Sequence, residues 1–266
     1  MPYIDNEGIK IYYEIEGDGP PVILIHGFAS NLEGNWKQTN WVEALKDKYR
    51  LILIDCRGHG KSDKPHDKSN YGQKMTDDVV KLMDHLSIQK ANFLGYSMGA
   101  YMTFRLLLRK PHLFISAILG GFALNLMQDE NERSNYREST IRRIEAFKAD
   151  SVNEVKDPMA HAFRQYAELR GNDLKALAAE MAGGLQERSE SMESLSQIKE
   201  ALKTIKTPVM TVVASNDFIP GDKSLIAQIV PDACHFQIQG KDHLTVVPDP
   251  KFKMVVKAFL DYVNKN

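Results

Sequence analysis

The sequence predicts an α/β fold with a mostly parallel, doubly wound sheet, and two patterns in the order of its apolar segments carry this prediction. Short apolar runs recur along the 266 residues, and most are continuous rather than alternating, as expected of strands covered on both faces. Segments with helical periodicity separate several of these runs. Strand, helix and strand in series imply parallel strands joined by right-handed crossovers.

The predicted strands begin with an antiparallel hairpin at one edge of the sheet. Residues 1–16 alternate in hydrophobicity about Asn6-Glu7-Gly8, a pattern typical of two strands closed by a glycine turn. The continuous apolar runs that follow are VILIH, LILID, ANFLG, SAILG, VMTVVA and HFQIQ, at residues 22–26, 51–55, 91–95, 116–120, 209–214 and 235–239. The hairpin and these runs together predict eight strands.

A segment without strand-like runs, residues 122–196, interrupts the alternation of strands and helices. It is rich in charged residues and helix formers, and apolar residues recur in it at helical spacing, namely Leu174, Leu177, Ala178, Met181 and Leu185. We expect three or four helices there, inserted into a core made of residues 1–121 and 197–266 rather than forming an independent domain.

The charge and the cysteine content indicate which kinds of binding partner and which cellular compartment to expect. Lys and Arg number 34 and Asp and Glu 35, so the net charge of -1 gives no long-range attraction to nucleic acid or to an anionic membrane. Cys56 and Cys234 are too few for a disulfide framework, and no apolar stretch resembles a membrane span or a leader. We expect a soluble cytoplasmic protein that binds a small molecule, with neither nucleic acid nor membrane insertion; a homodimer stays open.

Residues 95–99, Gly-Tyr-Ser-Met-Gly, match the pattern G-x-S-x-G, and their context indicates a nucleophilic serine. An apolar run precedes the pattern, and a helical segment follows it. Ser97 would therefore stand at a sharp turn from strand to helix, at the carboxyl edge of the sheet, where open α/β folds bind ligands. The helix N-terminus there favours developing negative charge. The alternative is a serine that only caps the helix, and the other motifs of the chain disfavour it.

A serine nucleophile needs a histidine that takes its proton and a carboxylate that orients the histidine. His243 lies in a loop directly after the last predicted strand, whereas the other seven histidines precede the serine, lie in helical segments or open a strand. Asp217 follows the strand at 209–214 and is favoured as the acid over Asp222, five residues further on. Asp242 adjoins the histidine and cannot easily reach its Nδ1.

The chain resembles the α/β-hydrolase superfamily, in particular its capped serine esterases and non-haem haloperoxidase-like relatives. The stretches ILIHGFAS, LIDCRGHGKSD, LGYSMGA, ASNDFIP and GKDH occur in that family's order and at approximately its spacing. The order of serine, aspartate and histidine matches as well. The resemblance implies an α/β-hydrolase fold with an eight-stranded sheet, in which residues 122–196 form a helical cap over the nucleophile.

Further site residues are implied by this resemblance. The backbone amides of Phe28 and Met98 are expected to form an oxyanion hole, with His26 supporting the loop by hydrogen bonding. Phe28, Tyr96 and Phe122 are the predicted substrate contacts, although the Tyr96 side chain could equally pack beneath the turn. Other apolar side chains of the cap could line the pocket or form the cap's own core: Met127, Met159, Met181, Met192, Phe163 and Tyr166.

These parts predict a serine hydrolase that cleaves carboxylic esters of small or medium acyl chain through an acyl-enzyme on Ser97, with no metal or organic cofactor. The same triad also serves carbon–carbon bond hydrolases, lactonases and thioesterases, and a catalytically weak sensor of small molecules is the alternative from another class. Ala29 stands where relatives with perhydrolase or haloperoxidase activity often carry proline, which argues against a peroxide-dependent main activity.

Overall fold

The chain forms one mixed sheet flanked by helices in the computed structural model, which describes residues 2–124, 130–190 and 195–265. Its strands are β1 (Tyr3–Asn6), β2 (Ile9–Glu16), β3 (Pro21–Ile25), β4 (Arg50–Ile54), β5 (Ala91–Tyr96), β6 (Phe114–Gly120), β7 (Val209–Ala214) and β8 (Cys234–Ile238). Within the described residues these eight strands lie in the order β1-β2-β4-β3-β5-β6-β7-β8. Strand β2 is antiparallel to β1 and β4, and every other neighbouring pair is parallel.

The helices connect the strands or lie between β6 and β7. They are α1 (Trp41–Leu45), α2 (Gln73–His85), α3 (Met98–Arg109), α4 (Glu130–Lys148), α5 (Pro158–Leu169), α6 (Leu174–Glu190), α7 (Leu195–Lys203), α8 (Leu225–Ile229) and α9 (Pro250–Val263). None of the helices in the described ranges is both long and apolar enough to span a membrane.

The predicted α/β fold is confirmed, and the strand bounds differ from the predicted ones by one or two residues. His26 and Asp55, which end two of the predicted strands, lie just beyond β3 and β4. Both side chains are buried and form hydrogen bonds with the loops that follow the sheet. The apolar pattern therefore located the strands, while buried polar contacts decide where pairing ends.

Two separate apolar clusters cover the faces of the sheet. Val22 and Leu24 of β3 belong to one cluster, Ile23 and Ile25 to the other, and all four are fully buried. Helices α1 and α9 contribute to the cluster of Val22 and Leu24, while α2 and α3 pack on the face of Ile23 and Ile25. This arrangement explains why the strands read as continuous apolar runs, because successive side chains point to opposite faces that are both covered.

Helices α4 to α7 lie between β6 and β7, where the sequence predicts an insertion over residues 122–196. Helix α7 continues to Lys203, beyond the predicted boundary. Side chains of α4, α5 and α6 form a small apolar cluster together with Ala29, from the loop after β3: Ile144, Phe147, Ala167, Leu177 and Ala178. The helices therefore pack over that loop, and their role as a substrate-selecting cap stays a prediction. Met127 and Met192 lie outside the described residues.

Candidate active site

Ser97 lies between β5 and α3 in a backbone conformation that an L-residue rarely adopts, with φ +53°. The two glycines of the motif permit this turn. A Cβ at Gly95 would lie 2.2 Å from the carbonyl oxygen of Gly99, and one at Gly99 would lie 2.1 Å from that of Ile25. Because no side chain fits at either position, the strand and the helix can approach closely and present Ser97 at the carboxyl edge of the sheet.

Ser97, His243 and Asp217 form a continuous hydrogen-bonded chain. The Ser97 Oγ lies 2.9 Å from His243 Nε2, and His243 Nδ1 lies 3.1 and 3.0 Å from the two carboxylate oxygens of Asp217. His243 and Asp217 are buried. Burial raises the pKa of Asp217, but the hydrogen bond and charge of His243 outweigh it, so this pKa lies below its ordinary value. An ionised carboxylate therefore faces the imidazole.

The two alternative aspartates lie elsewhere and have other partners. Asp222 is exposed and accepts hydrogen bonds from the amide and hydroxyl of Ser224, at 2.8 Å each. Asp242 accepts from the amides of Leu244 and Thr245 in the turn before α9. Of the candidate acids, only Asp217 contacts the histidine. No group of three or more histidine, cysteine, aspartate or glutamate side chains in the described ranges is arranged to hold a metal ion.

The loop after β3 lies directly against the serine. A Cβ at Gly27 would lie 3.5 Å from the Ser97 Cβ, so Phe28, the next residue, is close to Ser97. The Met98 amide opens helix α3 and, as at any helix N-terminus, has no intrahelical acceptor. The two amides that the resemblance identifies therefore flank the same side chain.

Two buried histidines hold this loop. His26 donates from Nδ1 to the Gly27 carbonyl oxygen and accepts at Nε2 from the Cys56 amide, at 2.8 and 3.0 Å. The Nε2 of His59 accepts from the Ala29 amide at 3.1 Å. Burial, with a smaller contribution from His26, lowers the pKa of His59 to about 3, so its ring is neutral and suited to accept. Ala29 has φ +54°, so proline is excluded there both by its ring and by the loss of this amide.

The side chains of Tyr96 and Phe122 are buried in the apolar core next to the site. The Tyr96 hydroxyl donates to the His243 carbonyl oxygen, and its ring lies 5.2 Å from the His243 ring and 6.3 Å from that of Phe252. Tyr96 thus packs beneath the turn, one of the two orientations that the sequence leaves open. Phe122 is buried with its ring 5.3 Å from that of Phe104 on α3. Direct substrate contact by either side chain stays a prediction.

An aromatic group that the sequence analysis did not assemble flanks the serine and histidine. The Phe218 ring lies 4.8 Å from the His243 ring and 6.2 Å from that of Phe163, which in turn lies 6.3 Å from that of Phe28. Phe28 also contacts Phe147 of α4, at 5.7 Å. Phe218 is 48% exposed and directly follows Asp217. Its position next to the predicted acid was the only feature of the sequence that could have indicated its place in the site.

Comparisons with known proteins identify the family. A protein-family model described as alpha/beta hydrolase fold matches residues 20–244. The chain is 24% identical over 266 residues to 3-oxoadipate enol-lactonase 1 of Acinetobacter baylyi, covering 96% of this chain and 95% of that protein. It is 27% identical over 266 residues to the pimeloyl-[acyl-carrier protein] methyl ester esterase of Nitrosospira multiformis, covering 97% and 95% respectively.

A solved structure shares the fold over the whole chain. The enol-lactonase from Burkholderia xenovorans superposes with a TM-score of 0.76 at 22% identity, covering 98% of this chain and 100% of that one. Its likeness concerns the fold, whereas the family model rests on the sequence of most of the chain. The resemblance drawn from the sequence motifs is thereby confirmed, and the chain belongs to the α/β-hydrolase fold family.

Proposed function

We propose that the protein hydrolyses carboxylic esters of small or medium acyl chain through an acyl-enzyme on Ser97. The observation that carries this proposal is the continuous hydrogen-bonded chain from Ser97 through His243 to Asp217, with the serine on a strained turn. Nucleophile, base and orienting carboxylate in hydrogen-bond reach form the arrangement required for nucleophilic acyl transfer. The family membership and the similarity to a methyl ester esterase support the same chemistry.

The reaction follows from these positions. Ser97 Oγ attacks the ester carbonyl carbon while its proton passes to His243 Nε2, and the Asp217 carboxylate stabilises the resulting imidazolium. The amides of Phe28 and Met98 bind the developing oxyanion, each contributing about 3 kcal/mol by analogy with removal of one such donor. The alcohol then leaves with the proton from His243, and a water activated by the same histidine releases the acid.

A series of p-nitrophenyl esters of increasing acyl length tests this proposal. We expect release of p-nitrophenol with an optimum at short or medium chains, and covalent labelling of Ser97 by a fluorophosphonate. Ser97→Ala should abolish both, and Ser134→Ala, on the exposed face of α4, should leave both unchanged. If the purified protein neither turns over the esters nor reacts at Ser97, ester hydrolysis is wrong and a sensor of small molecules becomes the better proposal.

Lactone hydrolysis is the second candidate, and the similarity to an enol-lactonase along nearly the whole chain favours it over the carbon–carbon bond and thioester alternatives. A lactone is a cyclic ester, so the same attack by Ser97 opens its ring. The alcohol formed stays part of the acyl group, and water then releases both from Ser97 as one hydroxy acid. Comparing kcat/KM for γ-lactones and for open-chain esters of equal carbon number decides between the two. A lactone preference of tenfold or more would replace the open-chain ester as the proposed substrate.

A further inference from the structure

One cation of α4 lies against the aromatic side chains near the proposed nucleophile. The guanidinium carbon of Arg143 lies 5.5 Å from the centre of the Phe163 ring. Phe163 contacts Phe28 on one side, at 6.3 Å, and Phe218 on the other, at 6.2 Å, and Phe218 lies against His243. Arg143 is therefore one ring removed from the two phenylalanines that flank the serine and the histidine.

Arg143 has no carboxylate partner among the described residues. Its Nη2 donates to the Thr140 hydroxyl at 3.2 Å, and its Nε is buried without a hydrogen-bond acceptor. Asp157, the acid that acts on it at longer range, pairs instead with the neighbouring Arg142, at 3.3 Å. Burial lowers the pKa of Arg143 from its ordinary value, which reflects a guanidinium taken from water without a counter-ion in contact.

Arg143 is half-buried, and a charge held partly out of water is costly without a partner, so a ligand of opposite charge would be favoured there. Arginine suits a carboxylate in particular, because its planar N–H groups match the two carboxylate oxygens. Only Nη2 has a hydrogen-bond acceptor among the described residues, the Thr140 hydroxyl, so other N–H groups of the guanidinium remain for such a pair. The rings of Phe163 and Phe218 form a row of contacts from Arg143 to His243, the hydrogen-bond partner of Ser97.

We propose that Arg143 binds the carboxylate of an anionic substrate, so that the protein acts on esters which carry a carboxylate remote from the scissile bond, such as monoesters of short dicarboxylic acids. This inference rests on the proposed ester hydrolysis at Ser97 and names its substrate class. The alkyl segment between ester and carboxylate lies along the aromatic rings. The substrate carboxylate then acts as the counter-ion of Arg143, for which the described residues provide none in contact.

Matched pairs of methyl esters test the proposal. Monomethyl glutarate, adipate and pimelate are compared with methyl pentanoate, hexanoate and heptanoate, which have the same acyl lengths but end in a methyl group. Acid release is followed by titration at constant pH. We expect the wild-type protein to prefer one charged ester over its neutral counterpart, and Arg143→Gln to lower this ratio of kcat/KM values by about 10- to 100-fold, mainly through KM.

The adjacent arginine provides a matched control. Arg142 lies on the same helix, is half-exposed and pairs with Glu138 and Asp157, so Arg142→Gln should leave the ratio unchanged. Arg143→Lys, which keeps the charge but loses the planar group of donors, should give an intermediate ratio. A wild-type protein without preference for the charged esters, or an Arg143→Gln ratio equal to that of the wild type, would overturn the proposal.

A binding measurement separates failure of this inference from failure of the proposed function. Calorimetric titration of Ser97→Ala with the monomethyl esters needs no turnover, and binding should weaken about 10- to 100-fold when Arg143→Gln is added. If the wild type hydrolyses no ester but Ser97→Ala binds the charged esters through Arg143, ester hydrolysis is wrong and the anion site stands. If neutral and charged esters are hydrolysed equally well and the charged ones do not bind through Arg143, the anion site is wrong and ester hydrolysis stands.

Discussion

At the scale of single residues, hydrogen-bond partners distinguish side chains that the sequence presents as equivalent. Asp217 and Asp222 both follow β7 within a few residues, yet only Asp217 contacts His243. Position after a strand brought both to the same edge of the sheet. Which aspartate contacts His243 depends on the conformation of the segment between β7 and α8, and that conformation cannot be predicted from the spacing of residues.

Replacement of either aspartate by asparagine separates their roles. Asp217→Asn should lower kcat for a p-nitrophenyl ester by about 10³- to 10⁴-fold, because the amide can hold the imidazole in the wrong tautomer and cannot stabilise its charge. Asp222→Asn, the matched control, should change kcat by less than about twofold, since the Asp222 carboxylate accepts from Ser224 in a surface turn away from His243. Equal losses in steady-state kcat would contradict the assignment of the acid.

Glu180 of α6 is a second residue whose surroundings give a measurable expectation. It is buried, its Oε2 lies 3.5 Å from His59 Nε2 without a hydrogen-bond partner, and burial raises its pKa well above the ordinary 4.5. The folded state therefore holds a proton that the unfolded state releases above about pH 4.5. Its contribution to the free energy of unfolding is full below that pH and is lost as pH rises toward the raised pKa.

Glu180→Gln should accordingly stabilise the protein at neutral pH. We expect a gain of about 1 kcal/mol or more at pH 7, roughly 2–4 °C in Tm, shrinking as the pH falls toward 4.5. The experiment is thermal unfolding between pH 5 and 8, with Glu145→Gln on the exposed face of α4 as the control that leaves the pH dependence unchanged. A variant less stable than the wild type at every pH would mean that Glu180 is ionised and paired.

At the scale of elements, the close contact between α3 and β3 governs the position of Ser97, the proposed nucleophile. Gly99 lies where the helix touches the backbone of Ile25 and the start of the loop after β3. Any Cβ there would push α3 away from the sheet and move Ser97 with it. The motif glycine is thus required by packing between two elements as well as by the turn.

Gly99→Ala should lower the free energy of unfolding by about 1–3 kcal/mol or more, because its Cβ would overlap backbone rather than a movable side chain. The folded fraction should also lose activity, since the distance between Ser97 and His243 would change. Gly184→Ala is the control: a Cβ at this helical glycine of α6 meets nothing within 4 Å, so stability should rise by roughly 0.5–1 kcal/mol. Urea unfolding compares the two, and similar losses would refute the packing argument.

At the scale of the whole molecule, a buried ion pair joins parts of the chain that the sequence separates widely. Arg57, after β4, donates from Nε and Nη2 to the Asp78 carboxylate on α2 at 2.7 and 2.6 Å, and Asn6 of β1 donates to the same carboxylate. Both charged side chains are 1% exposed. The sheet edge, the loop supporting the site and α2 are thereby linked.

Breaking this pair should destabilise the whole protein while leaving its chemistry intact. Asp78→Asn leaves Arg57 buried without a counter-ion, and we expect the free energy of unfolding to fall by about 3–5 kcal/mol, with kcat per folded molecule unchanged. Glu43→Gln, which breaks the exposed pair with Lys46, should cost far less, because water screens this pair. Similar losses in the free energy of unfolding for the two variants, measured by denaturant unfolding, would show that the buried pair stabilises the protein no more than the exposed one.

Most of the fold and the polar chain of the site could be predicted, but the apolar surroundings could not. Strands covered on both faces appear in the sequence as continuous apolar runs, so their positions can be predicted. The glycines around Ser97 likewise indicate the turn. Phe218 and Arg143 left no such mark, because a phenylalanine beside an acid and one arginine among several on a helix are ordinary. Their significance comes from neighbours that other elements supply.

The sequence by itself therefore determined the class of fold, the candidate nucleophile and the order of the three polar residues, since these depend on local periodicity, turn chemistry and the edge at which parallel strands end. Only the tertiary structure decided that Asp217 rather than Asp222 meets His243, that Tyr96 packs beneath the turn, and that Arg143 stacks near the aromatic rings. These are contacts between elements distant in the chain. Packing selects them by steric fit and by the cost of leaving buried polar groups unpaired.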